Sequence, residues 1–393
     1  MEELMTVRNK LKTKLTERFP ELSTWLYLGA LSIYILAMSL KGTMLVDFLI
    51  TQRGIFYLSA LPAFLVLLKI VFLDEHDLKD LVIFFLLEVV LFAVGTSADE
   101  FLIFYFLFFI VGAQGINIDQ ILKVFLGVNL FVIGLAFIFS SLGSVKNVIV
   151  TRSDSPALRF ALGAVYPTDL ASRVFFMMMA YAVLKRFKLT VPEYISYVAL
   201  TLLIYIVTDT RIDLMLMLLL IICIFFYERL NVFLKKLSAQ VLSLLSILYI
   251  FLIILLGYFY SPQFGLLEKI NNFLSGRLFY EHVAFENYNV PILGQFIYQN
   301  GFGGGFKVLD YFYLDSSYVR TLMMHGLVVF LLLLVLIYLL FVKFKKVELN
   351  YWIICFLLVI LTSGIDQHLW NISYNFIFLA LFADLLVKKK VTE

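Results

Sequence analysis

Apolar runs long enough to cross a bilayer recur from residue 23 almost to the C-terminus, and they leave this chain few ways to fold. Leu81–Phe92, Phe175–Leu184, Leu214–Phe226 and Val328–Phe341 have the texture of transmembrane helices, which need about 20 mostly apolar residues. With 62% hydrophobic residues, 15% charged and a mean hydropathy of +0.97, a soluble domain would have too little interior to hide its apolar surface. Cys223 and Cys355 both lie inside apolar runs. The sequence therefore offers neither a disulfide framework nor a metal-ligand spacing.

The expected spans fall at roughly 23–40, 54–73, 81–96, 100–117, 122–143, 170–185, 189–208, 212–227, 240–260, 319–342, 350–364 and 371–387. About twelve spans place both termini on one side. Lys185-Arg186, Lys235-Lys236, Lys345-Lys346 and Lys388-Lys389-Lys390 fall on that same side, which the positive-inside rule makes the cytoplasm. The expected fold is all-α: a polytopic integral protein of the cytoplasmic membrane with both termini inside. One transmembrane domain, 23–387, follows a basic amphipathic helix, 1–22, that rests on the inner leaflet and carries Arg8, Lys10, Lys12, Lys14 and Arg18. Residues 388–393 form a basic cytoplasmic tail. No cleavable signal peptide is read at the N-terminus.

Two outer loops are long, 144–171 and 261–318, the second between the ninth and tenth spans. Arg152, Arg159, Arg173, Arg211, Arg277 and Arg320 lie in these outer segments or at adjoining span ends. Arginine on that side needs a reason, and binding an anion is the simplest.

Arg211 stands at a span boundary between Asp209 and Asp213, where a guanidinium is costly unless paired or hydrated. Its planar fork suits a diphosphate without any metal; the plainer reading is an ion pair with the two aspartates. Arg277 follows Leu274-Ser275-Gly276, and the amides of that turn offer a second anion contact. Asp315 precedes the tenth span. It reads either as that helix's N-cap or as a general base or hydroxyl acceptor. His325, further along, reads as a deeper base or as a hydrogen-bonded residue between helices. Gly301-Phe302-Gly303-Gly304-Gly305-Phe306 is not a nucleotide loop, because no Gly-Lys-Ser/Thr follows and Phe306 replaces the last glycine of GxGxxG. A flexible hinge is expected there. Glu88, inside the third span, is the strongest sign of transport. Against transport, the sequence displays no repeat and no helix discontinuity. No His-Glu-x-x-His, paired aspartate or cysteine cluster implies a metal, no cofactor is expected, and nothing supports nucleic-acid binding.

From about Arg159 to Asn375 the chain resembles the Wzy-type polysaccharide polymerases, relatives of the O-antigen ligases. Arg159 with Gly163-Ala164-Val165-Tyr166-Pro167-Thr168-Asp169 is similar to the family's arginine–glycine–histidine-proline-asparagine stretch. Thr208-Asp209-Thr210-Arg211 resembles its threonine/serine-x-serine-arginine signature, and Leu274-Ser275-Gly276-Arg277 the arginine motif that opens the large outer loop. Leu314-Asp315-Ser316-Ser317-Tyr318 sits where many members carry histidine-asparagine-x-tyrosine. Tyr166 and Thr168-Asp169 depart from the first stretch, and Asp315 stands where histidine is usual.

The resemblance implies a glycosyltransferase-C-like fold. Its activity would be transfer of a growing glycan from undecaprenyl diphosphate to the terminal sugar of the next lipid-linked repeat unit, at the outer membrane face. Arg211 and Arg277 would stabilise the departing diphosphate and Asp315 would orient or deprotonate the attacking hydroxyl. Arg159, Tyr166, Asp169, Ser316, Tyr318 and Arg320 would contact substrate. Inversion at the anomeric carbon, a chain-length regulator and a flippase as partners also come from the family. Aromatics of the outer loop, Tyr280, Phe285, Tyr288, Tyr298, Tyr311 and Tyr313, offer stacking faces for sugars or interfacial anchors. The competing expectations are a ligase with another acceptor, a lipid-linked oligosaccharide flippase and a non-catalytic scaffold.

Overall fold

The computed structural model describes residues 2–46, 52–152, 155–305 and 308–386. The helices are α1 (Glu2–Arg18), α2 (Leu22–Lys41), α3 (Gln52–Phe72), α4 (Leu78–Ala98), α5 (Leu102–Gly112), α6 (Ile118–Ser141), α7 (Pro167–Leu184) and α8 (Val191–Thr208). There follow α9 (Arg211–Phe225), α10 (Tyr227–Lys236), α11 (Ala239–Tyr258), α12 (Gly265–Phe273), α13 (Arg277–Asn287), α14 (Ser317–Lys346) and α15 (Asn350–Ser363). Among the described residues, α2, α4, α6, α8, α11 and α14 are each long and apolar enough to cross a membrane, and the bent pair α9–α10 makes a seventh. The fold is that of a largely helical membrane protein. It is not free of strand, because β1 (Ile149–Arg152) and β2 (Ser155–Phe160) form an antiparallel hairpin in the 144–171 loop.

Local sequence explains where several helices begin. Thr190 and Glu193 close a capping box ahead of Pro192, and Glu193 Oε2 accepts the Thr190 amide at 2.7 Å. Asn117 caps α6 by accepting the Asp119 amide at 2.8 Å. Between helices, packing is aromatic and tight: Tyr27 and Tyr34 of α2 meet Phe109 of α5, while Phe344 stacks on Trp352 across α14 and α15. In lipid such close packing, more than apolar burial, holds helices together.

Hydrogen bonds sort the chain into two ends. At one, Arg8 of α1 donates to the carbonyls of Val71, Asp74 and His76, and Lys69 Nζ lies 2.5 Å from Asp74 Oδ1. Lys343 reaches Leu381 and Ala383, and Lys345 reaches Leu234, at this same lysine-rich end. The opposite end carries the hairpin, α12 and α13, and the junctions α4–α5, α8–α9 and 364–376.

Three sequence expectations are corrected. Among the described residues six helices, or seven with the bent pair, are long and apolar enough to cross a membrane, and the last expected span, 371–387, is no α-helix over its described residues. It runs as buried irregular chain with 3₁₀ turns at His368–Trp370 and Ile377–Leu381, ending with Asp384 bonded to Ile116 and Ile118. Asn375 supports it from within, donating to Leu369 O and accepting the Ile377 amide. Such backbone is tolerable at membrane depth only when protein surrounds it.

Helix discontinuities are present as well. Between α9 and α10 the axis turns by 83°. Inside α14 a π turn, Thr321–His325, precedes Gly326 at φ 86°. A Cβ at Gly326 would meet Gly294 N and Ile292 O at 2.7 Å, because an extended stretch of the long loop lies across the break. That stretch takes up the freed backbone groups: Leu327 and Val328 donate to Pro291 and Ile292, and Gln295 N–H donates to Met324 O.

The glycine run is also not a hinge among its described residues. Gly303–Gly305 is a tight turn held by Gly304 N–H to Val165 O and by Lys146 Nζ to Gly304 O at 2.8 Å.

Candidate functional site

The long loop is ordered around Arg277. At the end of α12 the chain reverses through Ser275 (φ 58°) and Gly276 (φ 87°), and Arg277 opens α13. Both turn amides point back into the protein. Ser275 N–H donates to Asn272 O and Gly276 N–H to Asn271 O, so the turn does not offer those amides to an anion. Asn271 Oδ1 then accepts the Phe279 amide and steadies the first turn of α13.

This geometry aims Arg277 across the loop. Its Nη1 donates to Leu274 O at 2.9 Å, and its Nε stands 3.2 Å from Asp315 Oδ2. Both side chains stay partly open, 19% for Arg277 and 27% for Asp315. Asp315 is not the cap of α14. Ser316 occupies that position with its Oγ buried and unpartnered, which leaves the Asp315 carboxylate free to face Arg277. Burial raises the Asp315 carboxyl above its ordinary range; Arg277 opposes that shift, Asp366 adds to it and Arg320 opposes it.

Behind this pair lies a second set of polar groups. Ser317 N–H and Ser317 Oγ both donate to the backbone carbonyl of Asp366, tying the Asp315 segment to the turn after α15. Asp366 Oδ2 accepts Ser172 Oγ of α7 at 2.8 Å, and the same hydroxyl lies 3.0 Å from Asp213 Oδ1 of α9. His368 Nε2 lies 3.2 Å from Asp366 Oδ1 and 3.7 Å from Asp169 Oδ1. Its ring is stacked on Tyr374 at 3.6 Å, and Arg173 covers Tyr374 with its guanidinium carbon 4.0 Å from the ring centroid. Burial lowers the His368 pKa, Asp366 opposes this, and Arg173 and Arg320 reinforce it.

The remaining sequence candidates sort into two groups. Asp169 and Ser316 belong to the assembly. Tyr166 caps α7 beneath Arg159, whose guanidinium lies 5.7 Å from the Tyr166 ring centroid. Arg159 itself donates from Nε to Thr208 O at 2.8 Å, closing the C-terminus of α8. Arg211 opens α9 with an exposed side chain. Two candidates turn inward. Tyr318 is fully buried with its hydroxyl donating to Ile360 O at 2.7 Å. Arg320 is committed to Glu100 Oε2 and Gln299 Oε1, both at 2.8 Å. Burial alone would raise Glu100; Arg320 and His325 outweigh it and hold the carboxylate ionised.

Sequence reading missed Asp366, His368, Ser172 and Glu281, and saw Asp213 only as a neighbour of Arg211. One signal was there. Ser363-Gly364-Ile365-Asp366-Gln367-His368 is a polar break between apolar runs on the same side as Arg277 and Asp315. Glu281 lies one turn past Arg277, buried against Gly257 with Oε2 unpartnered, and burial pushes its carboxyl well up. Nearby, Phe302 and Tyr311 stack at 4.3 Å and 15°, with Tyr280 edge-on to Tyr311. No group of His, Cys, Asp and Glu among the described residues has the geometry to hold a metal ion.

No known protein family, characterised protein or solved structure matches this chain.

Proposed function

We propose that this protein is a membrane glycosyltransferase that polymerises lipid-linked oligosaccharide repeat units on the outer face of the cytoplasmic membrane. The carrying observation is the Arg277–Asp315 pair, half-open at the end of the bundle opposite the lysine clusters. By the positive-inside rule that end faces out. In this reading the chain crosses the membrane twelve times in a glycosyltransferase-C-like arrangement, the last crossing running as irregular chain rather than helix over its described residues, 371–386.

The reaction follows from the charges. Departure of undecaprenyl diphosphate builds negative charge where Arg277 stands, and Arg211, exposed at the head of α9, serves the distal phosphate. Fixed cations at a partly dry site stabilise such a leaving group strongly. Asp315 faces Arg277 and orients the terminal sugar hydroxyl of the incoming unit for attack on the anomeric carbon. Displacement in one step inverts that carbon. The Phe302–Tyr311 stack beside Tyr280 offers a flat face for a sugar ring.

A second reading, translocation of the same lipid-linked unit, draws on Glu88, buried in α4 with both carboxylate oxygens unpartnered, and on the broken helices α9–α10 and α14. One experiment separates the two: a size ladder of surface polysaccharide from a deletion strain complemented with wild type or Arg277→Ala, together with the sidedness of lipid-linked units. Single units accumulating outside, with polymer lost in both the deletion and the variant, support polymerisation. Units trapped inside would reject it in favour of translocation.

A further inference from the structure

Ser172 poses a problem of proton counting. Its hydroxyl has one hydrogen, yet Oγ is within hydrogen-bond distance of two carboxylates, Asp213 Oδ1 at 3.0 Å and Asp366 Oδ2 at 2.8 Å. With both carboxylates ionised, one contact would set lone pair against lone pair in a buried site, beside two like charges. A second proton resolves it: one carboxyl donates to Ser172 Oγ, which donates to the other carboxylate. Accessibility says which. Asp213 is buried at 7% exposure, whereas the Asp366 side chain is 21% exposed. The proton rests on Asp213 and the charge on Asp366.

Asp366 is also where the polar groups of the site converge. His368 Nε2 and the Gln367 amide, the latter at 2.7 Å, both face its Oδ1, and its backbone carbonyl anchors Ser317 beside Asp315. The charged groups around it are Asp169, Arg173 and Asp213 from α7 and α9, Arg277 from α13, and Asp315 and Arg320 at the head of α14. Asp315 is engaged by Arg277; among the described ion pairs Asp366 is in direct contact with His368 and with no arginine or lysine. Asp366 is thus the carboxylate of this pair that is not already held by an arginine.

We propose that Asp366 accepts the proton of the attacking sugar hydroxyl, with Asp213 and Ser172 as positioning residues that hold one shared proton and keep Asp366 ionised. This rests on the polymerase reading and divides its labour: Asp315 orients and Asp366 takes the proton. In the step, the hydroxyl oxygen bonds to the anomeric carbon. The bond from that carbon to the diphosphate oxygen breaks and its electron pair leaves on the diphosphate. The hydroxyl proton moves to Asp366 and from there to water.

The test uses the purified full chain in lipid nanodiscs and has two arms. Infrared difference spectra over pH detect protonated carboxyls directly. Wild type shows protonated-carboxyl absorption at neutral pH, to which buried Glu281 also contributes, and Asp213→Asn removes one component of it. Transfer is then measured with the lipid-linked oligosaccharide pool extracted from a strain lacking the chain. Asp366→Asn lowers kcat by about 100-fold or more with KM little changed, the size expected for a lost general base. Asp213→Asn slows transfer less and erases the alkaline step of the pH–rate profile, where the pair loses its shared proton. Wild-type activity and pH profile in Asp366→Asn would overturn the inference while leaving polymerisation standing. Protonated-carboxyl absorption of the same amplitude in Asp213→Asn as in wild type would overturn the shared proton even if Asp366→Asn failed to fold. No transfer by wild type would reject the polymerase reading and the acceptor role with it.

Discussion

The two ends of the bundle both bury charge, and they balance it in opposite ways. At the lysine-rich end buried Asp74 sits among Lys69, Arg8 and Lys12, the last paired with exposed Glu75, and Arg8 spends its donors on three backbone carbonyls. At the other end four aspartates, 169, 213, 315 and 366, share Ser172, His368 and Arg277. A cluster with cations to spare fastens helices together. A cluster with more carboxylates than donors has room for a proton, a hydroxyl or a cationic neighbour, and it sits half-open besides. On the proposed reading the first is architecture and the second is machinery, and buried ionic networks of either kind perturb pKa values.

The largest effect should come from the open end. Arg277→Ala is expected to cut polymer formation by roughly 100- to 1,000-fold, the range for losing one donor at developing charge. The protein should remain folded by size-exclusion profile, since the pair is partly exposed. Lys69→Met tests the other side. Removing one partner of a buried pair costs about 3–5 kcal/mol. Thermal unfolding in detergent should fall accordingly, while turnover per folded molecule holds. If Lys69→Met lowered turnover as much as Arg277→Ala, the division between the two ends would collapse.

Gly326→Ala comes next. The left-handed φ and the 2.7 Å approach to Gly294 and Ile292 leave no room for a methyl group. A strained residue of this kind costs about 1–3 kcal/mol. Faster proteolysis of the 288–300 stretch, which lies across the break, would report it; an unchanged digestion rate would mean the stretch is held elsewhere.

The smallest effect is in pH. The folded-state pKa of Asp315 is raised, so the folded chain holds that proton more tightly than the unfolded chain. Its contribution to stability therefore grows as pH falls through the folded value and shrinks as pH rises. Activity runs the other way, because the ionised form is needed: transfer should fail on acidification at a pH above the ordinary aspartate value of about 4. Asp315→Asn should flatten the stability trend. A trend of opposite sign would show that Arg277 outweighs burial at this carboxylate.

Much of the site was legible because charge in an apolar chain is conspicuous. Arg277 and Asp315 stood out as polar residues in one long loop, and the structure pairs them at 3.2 Å although 38 positions separate them. Tyr318, in the same motif, and Arg320, two residues beyond it, looked equally suitable. Their side chains leave the helix in other directions, one into the core and the other toward Glu100, and a linear motif carries no such direction. Asp366 and His368 were passed over because a short polar turn between two apolar runs reads as a connection. Only the approach of α7 and α9 turns it into part of a site.

The sequence by itself determined that this chain is a membrane protein of helices, since its apolar runs have the roughly 20-residue length of a helical span, in which the backbone hydrogen bonds close within the segment, and exceed the roughly 9–11 residues of a membrane strand. It also determined which polar residues had to be explained. What only the tertiary structure decided is what those residues face. It also decided that the final apolar run, 371–387, is irregular over its described part, because the packed neighbours α5, α14 and α15 supply the surroundings that lipid would not. Hydropathy measures the cost of leaving water. Neither the path of a buried backbone nor the partner of a buried charge enters that cost, and both are settled by what packs alongside.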